Sequence, residues 1–302
     1  MKQPKILSSP VIRTALFIFA GLFLTQNGHK KPLLQDVINK AAIERYVSEP
    51  AIAPVDHTHA HNDYEHKHPL FDALRNGFVS LESDIYQGGD NDLYVAHMPW
   101  QIRDDRTLAS LYLEPLKQIV AQNGSVYRGS QKSLILLIDV KSLGDEVHEI
   151  LQKQLEDYKD ILTSYDEHGN KTERAVTVLK TGYRPSSDYK HKKTSYYEYE
   201  GRFSDKIGYG VCDGLNAPVV SGKWSDELEW DGKGQFPADQ KKKLRNIVLR
   251  FHKNSKEVRL WDIPDKEIVW KEVRDAGVDF INTDRLPELH YYLTKQNSPV
   301  IK

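Results

Sequence analysis

The chain has one cysteine in 302 residues, Cys212, which excludes an intramolecular disulfide and any zinc site built on several thiolates. It also lacks an excess of either charge. With 42 Lys and Arg against 43 Asp and Glu, the net charge is -1, and nothing basic enough to favour nucleic acid remains overall. There is no internal repeat, and no low-complexity tract beyond lysine-rich patches. The apolar run at 14–25 is short for a membrane span, which needs about 20 such residues. It follows Lys2, Lys5 and Arg13 and precedes a polar stretch from Gln26 to Lys31, the layout of a secretory signal peptide. An A-x-A cleavage site is missing, so an uncleaved anchor is the alternative, and no cysteine follows the run to support lipoprotein processing. The expectation is a signal or anchor over 1–28 and an exported protein: periplasmic, secreted or membrane-anchored. The rest, within a composition 39% hydrophobic and 28% charged, suits a soluble globular protein of one large domain or two small ones.

The stretch from Val55 to His97 carries the chemistry-bearing residues. After the helix stop at Asn76-Gly77, an extended run ends in Glu82-Ser83-Asp84, and alternation puts Glu82 and Asp84 on one face. By the same alternation His57, His59 and His61 line up, and the chain turns at Asn62-Asp63. A third short run, 93–97, delivers His97 at its end. Carboxylates in a buried setting are costly to desolvate, so their clustering suggests a bound cation.

Read in order, 29–54 forms a peripheral helix and linker, and the pattern from 55 onward alternates strands and helices. Strands are expected at 55–61, 79–85, 133–141, 175–179, 258–261 and 278–283, with weaker signals at 207–212 and 217–220. Helices are expected at 69–76, 112–121, 241–254, 265–276 and 286–293, with a further stripe through Val147, Leu151 and Leu155. In the run 133–141 the only charges, Asp139 and Lys141, share a face. Region 183–240 reads mostly as long loops. Polar residues fall at the carboxyl ends of the strands, as in a (β/α)8 TIM barrel over 55–293, with a tail at 294–302.

These residues resemble the glycerophosphodiester phosphodiesterase and phosphatidylinositol-phospholipase-C-like superfamily over most of 55–293. His61-Asn62-Asp63 stands where that family has His-Arg-Gly, Gly77 to Asp84 matches its Gly-x-x-x-x-Glu-x-Asp strand, and His97 matches its second histidine. Asp139-Val140-Lys141 is similar to its Glu-x-Lys strand, and Trp261 and the segment Gly277 to Asp284 match its late motifs. Asn62 in place of arginine and Asp139 in place of glutamate are departures shared with sphingomyelinase-D toxins and a yeast mitochondrial-inheritance group. The string His61-Asn62-Asp63-Tyr64 and the segment 111–116 are similar to that last branch, the altered-inheritance-of-mitochondria-like proteins.

The resemblance implies a PLC-like phosphodiesterase barrel in which Glu82, Asp84 and Asp139 hold one divalent cation, Mg²⁺ or Ca²⁺. His61 and His97 would share acid and base catalysis on a glycerophosphodiester or phospholipid-type substrate. Asn62, Lys141 and Trp261 would contact substrate, and His59 would orient the ligands. Contact with a membrane surface stays open, and no obligate protein partner is inferred. Trp224 and Trp230 either touch a lipid or sugar portion or simply cover the barrel. Two other readings remain. His59-x-His61 also resembles the metal pair of amidohydrolase barrels, and a barrel without turnover would serve in binding.

Overall fold

A computed structural model describes residues 34–184, 194–205 and 217–297. The expected leader at 1–28 and the expected strand at 207–212 lie outside the described residues, as does the tail from residue 298. Among the described residues, no helix is long and apolar enough to cross a membrane.

The core is a ring of parallel strands: β1 (Thr58–Ala60), β2 (Ser80–Gln87), β3 (Leu134–Val140) and β4 (Val176–Gly182). It continues with β5, two segments Glu198–Tyr199 and Gly201–Arg202 flanking Glu200, then β6 (Val219–Lys223), β7 (Glu257–Trp261) and β8 (Phe280–Thr283). Glu198–Tyr199 pairs with β4 and Gly201–Arg202 pairs with β6, so one strand bent at Glu200 joins the two ends of the sheet. β1 pairs with both β2 and β8, which completes an eight-stranded TIM barrel. Helices α1 (Leu34–Ser48), α2 (Phe71–Arg75), α3 (Glu114–Asn123), α4 (Glu146–Glu156), α5 (Trp224–Glu227), α6 (Ala238–His252), α7 (Glu267–Asp275) and α8 (Leu286–Asn297) accompany it. Their apolar stripes face the strands: Val147, Leu151 and Leu155 of α4, and Val269, Trp270 and Val273 of α7, are buried.

Two expectations need correcting, and a third takes its place beside the barrel. The short extended run 93–97 is present as Leu93–Val95, which pairs antiparallel with the upper end of β2 and stays outside the parallel ring. The connection through 88–92 is too short for a parallel crossover, which takes a dozen residues or more, so a hairpin is the available geometry. β1 is shorter than 55–61 because His57 and Asn62 on either side have positive φ, 69° and 44°, outside the extended region. β5 was hidden in a stretch read as loop, since Glu198, Glu200 and Arg202 give it no apolar signature.

Inside the barrel the alternation of side chains makes layers. Val79, Leu137, Leu179, Val219 and Phe280 form a buried apolar cluster low in the lumen. Two residues further along four of these strands stand Asp139, Thr181, Ser221 and Asn282. The β2–β3 register sets Asp84 directly beside Asp139, so two carboxylates share the upper layer.

Candidate active site

A cavity of about 760 Å³ opens at the carboxyl ends of the strands, with His61, Asn62, Glu82, His97, Asp139 and Lys141 among its lining residues. Trp261 lines it too, half exposed, with the Lys223 ammonium 5.5 Å from its ring. Carboxylate oxygens of Glu82, Asp84 and Asp139 lie within 4.8 Å of one another, the only such group of three ligating side chains among the described residues.

Two oxygens of this trio, Asp84 Oδ1 and Asp139 Oδ1, are buried without a hydrogen-bond partner. A buried acceptor left unpaired is costly, and unpaired anionic oxygens side by side more so. The Lys141 ammonium offsets part of this, 2.6 Å from Asp139 Oδ2 and 3.1 Å from Asp84 Oδ2. Even so, burial pushes the Asp84 carboxyl up to about 6 and raises Asp139 as well, against the pull of Lys141. Hard oxygen donors with two free buried lone pairs fit a divalent cation such as Mg²⁺ or Ca²⁺. Gly182 makes room for the arrangement: its φ is 78°, and a Cβ there would fall 2.1 Å from Asp139 Oδ1.

Below the trio lies a second charged array. Arg259 is buried and meets Glu200 through Nε (2.8 Å) and Nη2 (3.2 Å), while its Nη1 donates to Asn282 Oδ1 at 2.9 Å and lies 3.2 Å from His59 Nε2. Glu82 Oε2 is 3.7 Å from the same guanidinium and 3.5 Å from His59 Nε2. Burial works against ionisation of Glu82, but His59 and Arg259 outweigh it and hold the carboxyl below its usual range. His59 is fully buried, with Nδ1 2.7 Å from Ser80 Oγ. Burial and then the Arg259 charge push its imidazole down to about 4, so it is neutral near pH 7.

The other two histidines are held separately. His61 Nδ1 is 2.8 Å from Asp284 Oδ1, a contact that outweighs burial and raises its affinity for a proton. His97 Nδ1 faces the Tyr64 hydroxyl at 3.1 Å and Asp84 Oδ2 at 3.4 Å. Asn62 sits in the left-handed region with its Oδ1 3.1 Å from the same hydroxyl. His61, Asn62, Glu82, His97, Asp139, Lys141 and Trp261 thus line one cavity, with Asp84 buried beside Asp139 and His59 buried against Glu82. His59 does not join His61 in a chelating pair, because its two ring nitrogens are already committed to Ser80, Arg259 and Glu82. Trp224 and Trp230 are buried, stacked on Phe236, and donate to backbone carbonyls; they cover the barrel and do not reach the cavity.

Four contributors were missed: Tyr64, Glu200, Arg259 and Asp284. Tyr64 and Asp284 each end a string matched to the family, and Arg259 shares lumen parity with Trp261, so those signals were present. Glu200 had none.

The family model of the AIM6-like phosphodiesterase domain matches residues 48–199. An altered inheritance of mitochondria protein 6 homolog from Arthroderma benhamiae is 26% identical over 94% of this chain and 97% of its own length. The altered inheritance of mitochondria protein 6 of Eremothecium gossypii is 26% identical over 76% of this chain and 67% of its own. Among solved structures, a putative glycerophosphodiester phosphodiesterase from Galdieria sulphuraria aligns with a TM-score of 0.47 at 14% identity, covering 82% of this chain and 100% of that one. A glycerophosphodiester phosphodiesterase from Parabacteroides distasonis aligns with a TM-score of 0.46 at 14% identity over 81% and 100%. With its matched segment spanning His61, Glu82, Asp84, His97, Asp139 and Lys141, the chain belongs to the AIM6-like phosphodiesterase domain family.

Proposed function

We propose that this chain is a phosphoric diester hydrolase that uses one divalent cation, Mg²⁺ or Ca²⁺, and two histidines. The observation that carries the reading is the pair of unpartnered buried oxygens, Asp84 Oδ1 and Asp139 Oδ1, inside a carboxylate trio at the strand ends. Glu82, Asp84 and Asp139 would hold the cation, which when bound supplies charge to offset a phosphodiester's negative oxygens. His61 and His97, anchored through Nδ1 to Asp284 and Tyr64, move protons at the attacking and leaving oxygens. Asn62, Lys141 and Trp261 line the space for the substrate, and His59 buttresses Glu82.

The substrate class proposed is a glycerophosphodiester or a phospholipid-type diester. Met98, Trp100, Leu143 and Trp261 are exposed apolar side chains in the segments that follow His97, Lys141 and Leu260, and Trp100 is 79% exposed. They give the mouth an apolar fringe suited to contact with a membrane surface. The amidohydrolase alternative lacks support, since the converging ligand group holds no histidine.

A second reading, a barrel that binds without turnover, has one observation in its favour: Lys141 already neutralises part of the acidic pair. Assays of generic and glycerol-based phosphodiesters, with EDTA and then with added Mg²⁺ or Ca²⁺, separate the two. Hydrolysis abolished by EDTA and restored by the cation supports the enzyme. Cation binding by calorimetry with no turnover on any diester supports the binding barrel.

A further inference from the structure

We propose that Tyr64 is a positioning residue that fixes the His97 ring with its proton on Nδ1 and so leaves Nε2 as the ring's proton acceptor. The inference rests on the phosphodiesterase reading above and deepens it at the tyrosine that anchors His97. The Tyr64 hydroxyl has one proton and three acceptor neighbours: Asp84 Oδ2 at 2.7 Å, Asn62 Oδ1 at 3.1 Å and His97 Nδ1 at 3.1 Å. The charged oxygen at the shortest distance takes that proton, since hydrogen bonds to ionised acceptors are shorter and stronger. The hydroxyl oxygen then meets His97 Nδ1 with lone pairs only, as does Asp84 Oδ2 at 3.4 Å. Two acceptors facing one ring nitrogen require that nitrogen to carry hydrogen. In the neutral imidazole the other nitrogen, Nε2, is therefore bare.

The same hydroxyl directs Asp84. It and Lys141 Nζ both occupy Oδ2, so Oδ1 stays free of partners, the atom left for a cation. Tyr64 is itself held firmly. Its ring is buried, and its carbonyl accepts from the Arg106 guanidinium. Its neighbour Asp63, fully buried, accepts from the Leu70 amide at 2.6 Å and the Tyr112 hydroxyl at 2.9 Å. Loop 61–70 thus presents the hydroxyl at one place between the metal-site carboxylate and the second histidine.

The test reads the tautomer directly, by long-range ¹H–¹⁵N correlation on the full chain at a pH where His97 is neutral, with and without Mg²⁺. The expected wild-type spectrum shows His97 protonated on Nδ1 and bare on Nε2. Y64F keeps the ring and removes only the hydroxyl; thermal melting checks its fold. It is expected to lose the tautomer preference and to lower kcat on a phosphodiester about 10–100-fold, the range for partners that orient a first set of ligands, with KM little changed. A wild-type His97 with its proton on Nε2, or Y64F with wild-type kcat, overturns the proposal. A His97 protonated on Nδ1 in a chain without turnover supports the positioning and sinks the hydrolase instead, so the two failures are distinct.

Discussion

The lower and upper layers of the barrel lumen are built from the same strands, two residues apart, and have opposite physics. Leu137, Leu179, Val219 and Phe280 make a buried apolar floor, each burial stabilising the fold by about 1.5–3 kcal/mol. One step up, Asp139, Thr181, Ser221 and Asn282 replace them, joined by Glu82, Asp84, Arg259 and Glu200. Desolvated charges there are matched only in part, with two carboxylate oxygens left unpaired. The floor secures the barrel; the charged layer above it costs stability and holds the residues proposed to act on substrate.

If that division holds, changes in the two layers should separate activity from stability. The largest effect is expected at the histidines. His61→Asn and His97→Asn should each lower kcat on a phosphodiester by about 10²–10⁴-fold while the melting curve stays near wild type. A kcat within a few-fold of wild type for either variant would remove that residue from the proton-transfer pair. In the floor the pattern reverses. Leu137→Ala should destabilise the fold by about 2–5 kcal/mol in urea titrations, through lost transfer energy and a cavity. Its cation affinity, read by calorimetry on the folded fraction, should be unchanged.

A smaller effect sharpens the comparison between layers. His59 belongs to the charged layer yet reaches the cavity only through Glu82 and Arg259. His59→Ala should therefore weaken cation binding by about 10–100-fold, with activity partly restored by excess cation. Loss of turnover that no cation concentration restores would place His59 in the chemistry itself.

How legible this was in the sequence depends on which layer is considered. Strand parity put Glu82 with Asp84 and Asp139 with Lys141, because residues two apart on a strand must share a face. The β2–β3 register that brings the two pairs together is a tertiary fact that parity alone does not fix. Short polar strands escaped for a related reason. Glu200 sits at the bend of β5, where alternation over two residues at a time carries no pattern, and its partner Arg259 lies 59 positions away. Tyr64 was visible only as the end of the His61-Asn62-Asp63-Tyr64 string. Its task depends on a left-handed turn at Asn62 that swings the hydroxyl back over Asp84.

The last prediction moves outside the lumen, to a buried charge with no place in the proposed chemistry. Lys180 is the chain neighbour of Thr181 on β4 but points outward, with Nζ 3.0 Å from His148 Nδ1 and over the rings of Tyr197 and Tyr199 at 4.0 and 4.5 Å. Burial, with no charge partner acting against it, pushes its amine down to about 7. Unfolded lysine titrates at about 10.4, so between those two values the unfolded chain holds a proton that the folded chain has released. Stability should therefore rise with pH across that window, and the group's contribution is at its lowest below about 7, where both states are protonated. Lys180→Met keeps the volume and removes the charge. It should stabilise the fold on the order of 1–3 kcal/mol at about pH 6, where the wild-type ammonium is buried, with the gain shrinking towards about pH 10. Urea titrations of both chains across that range measure it. A variant less stable than wild type at low pH would show that the two tyrosine rings and His148 more than offset desolvation, and that an unpaired buried charge in this barrel need not reduce stability.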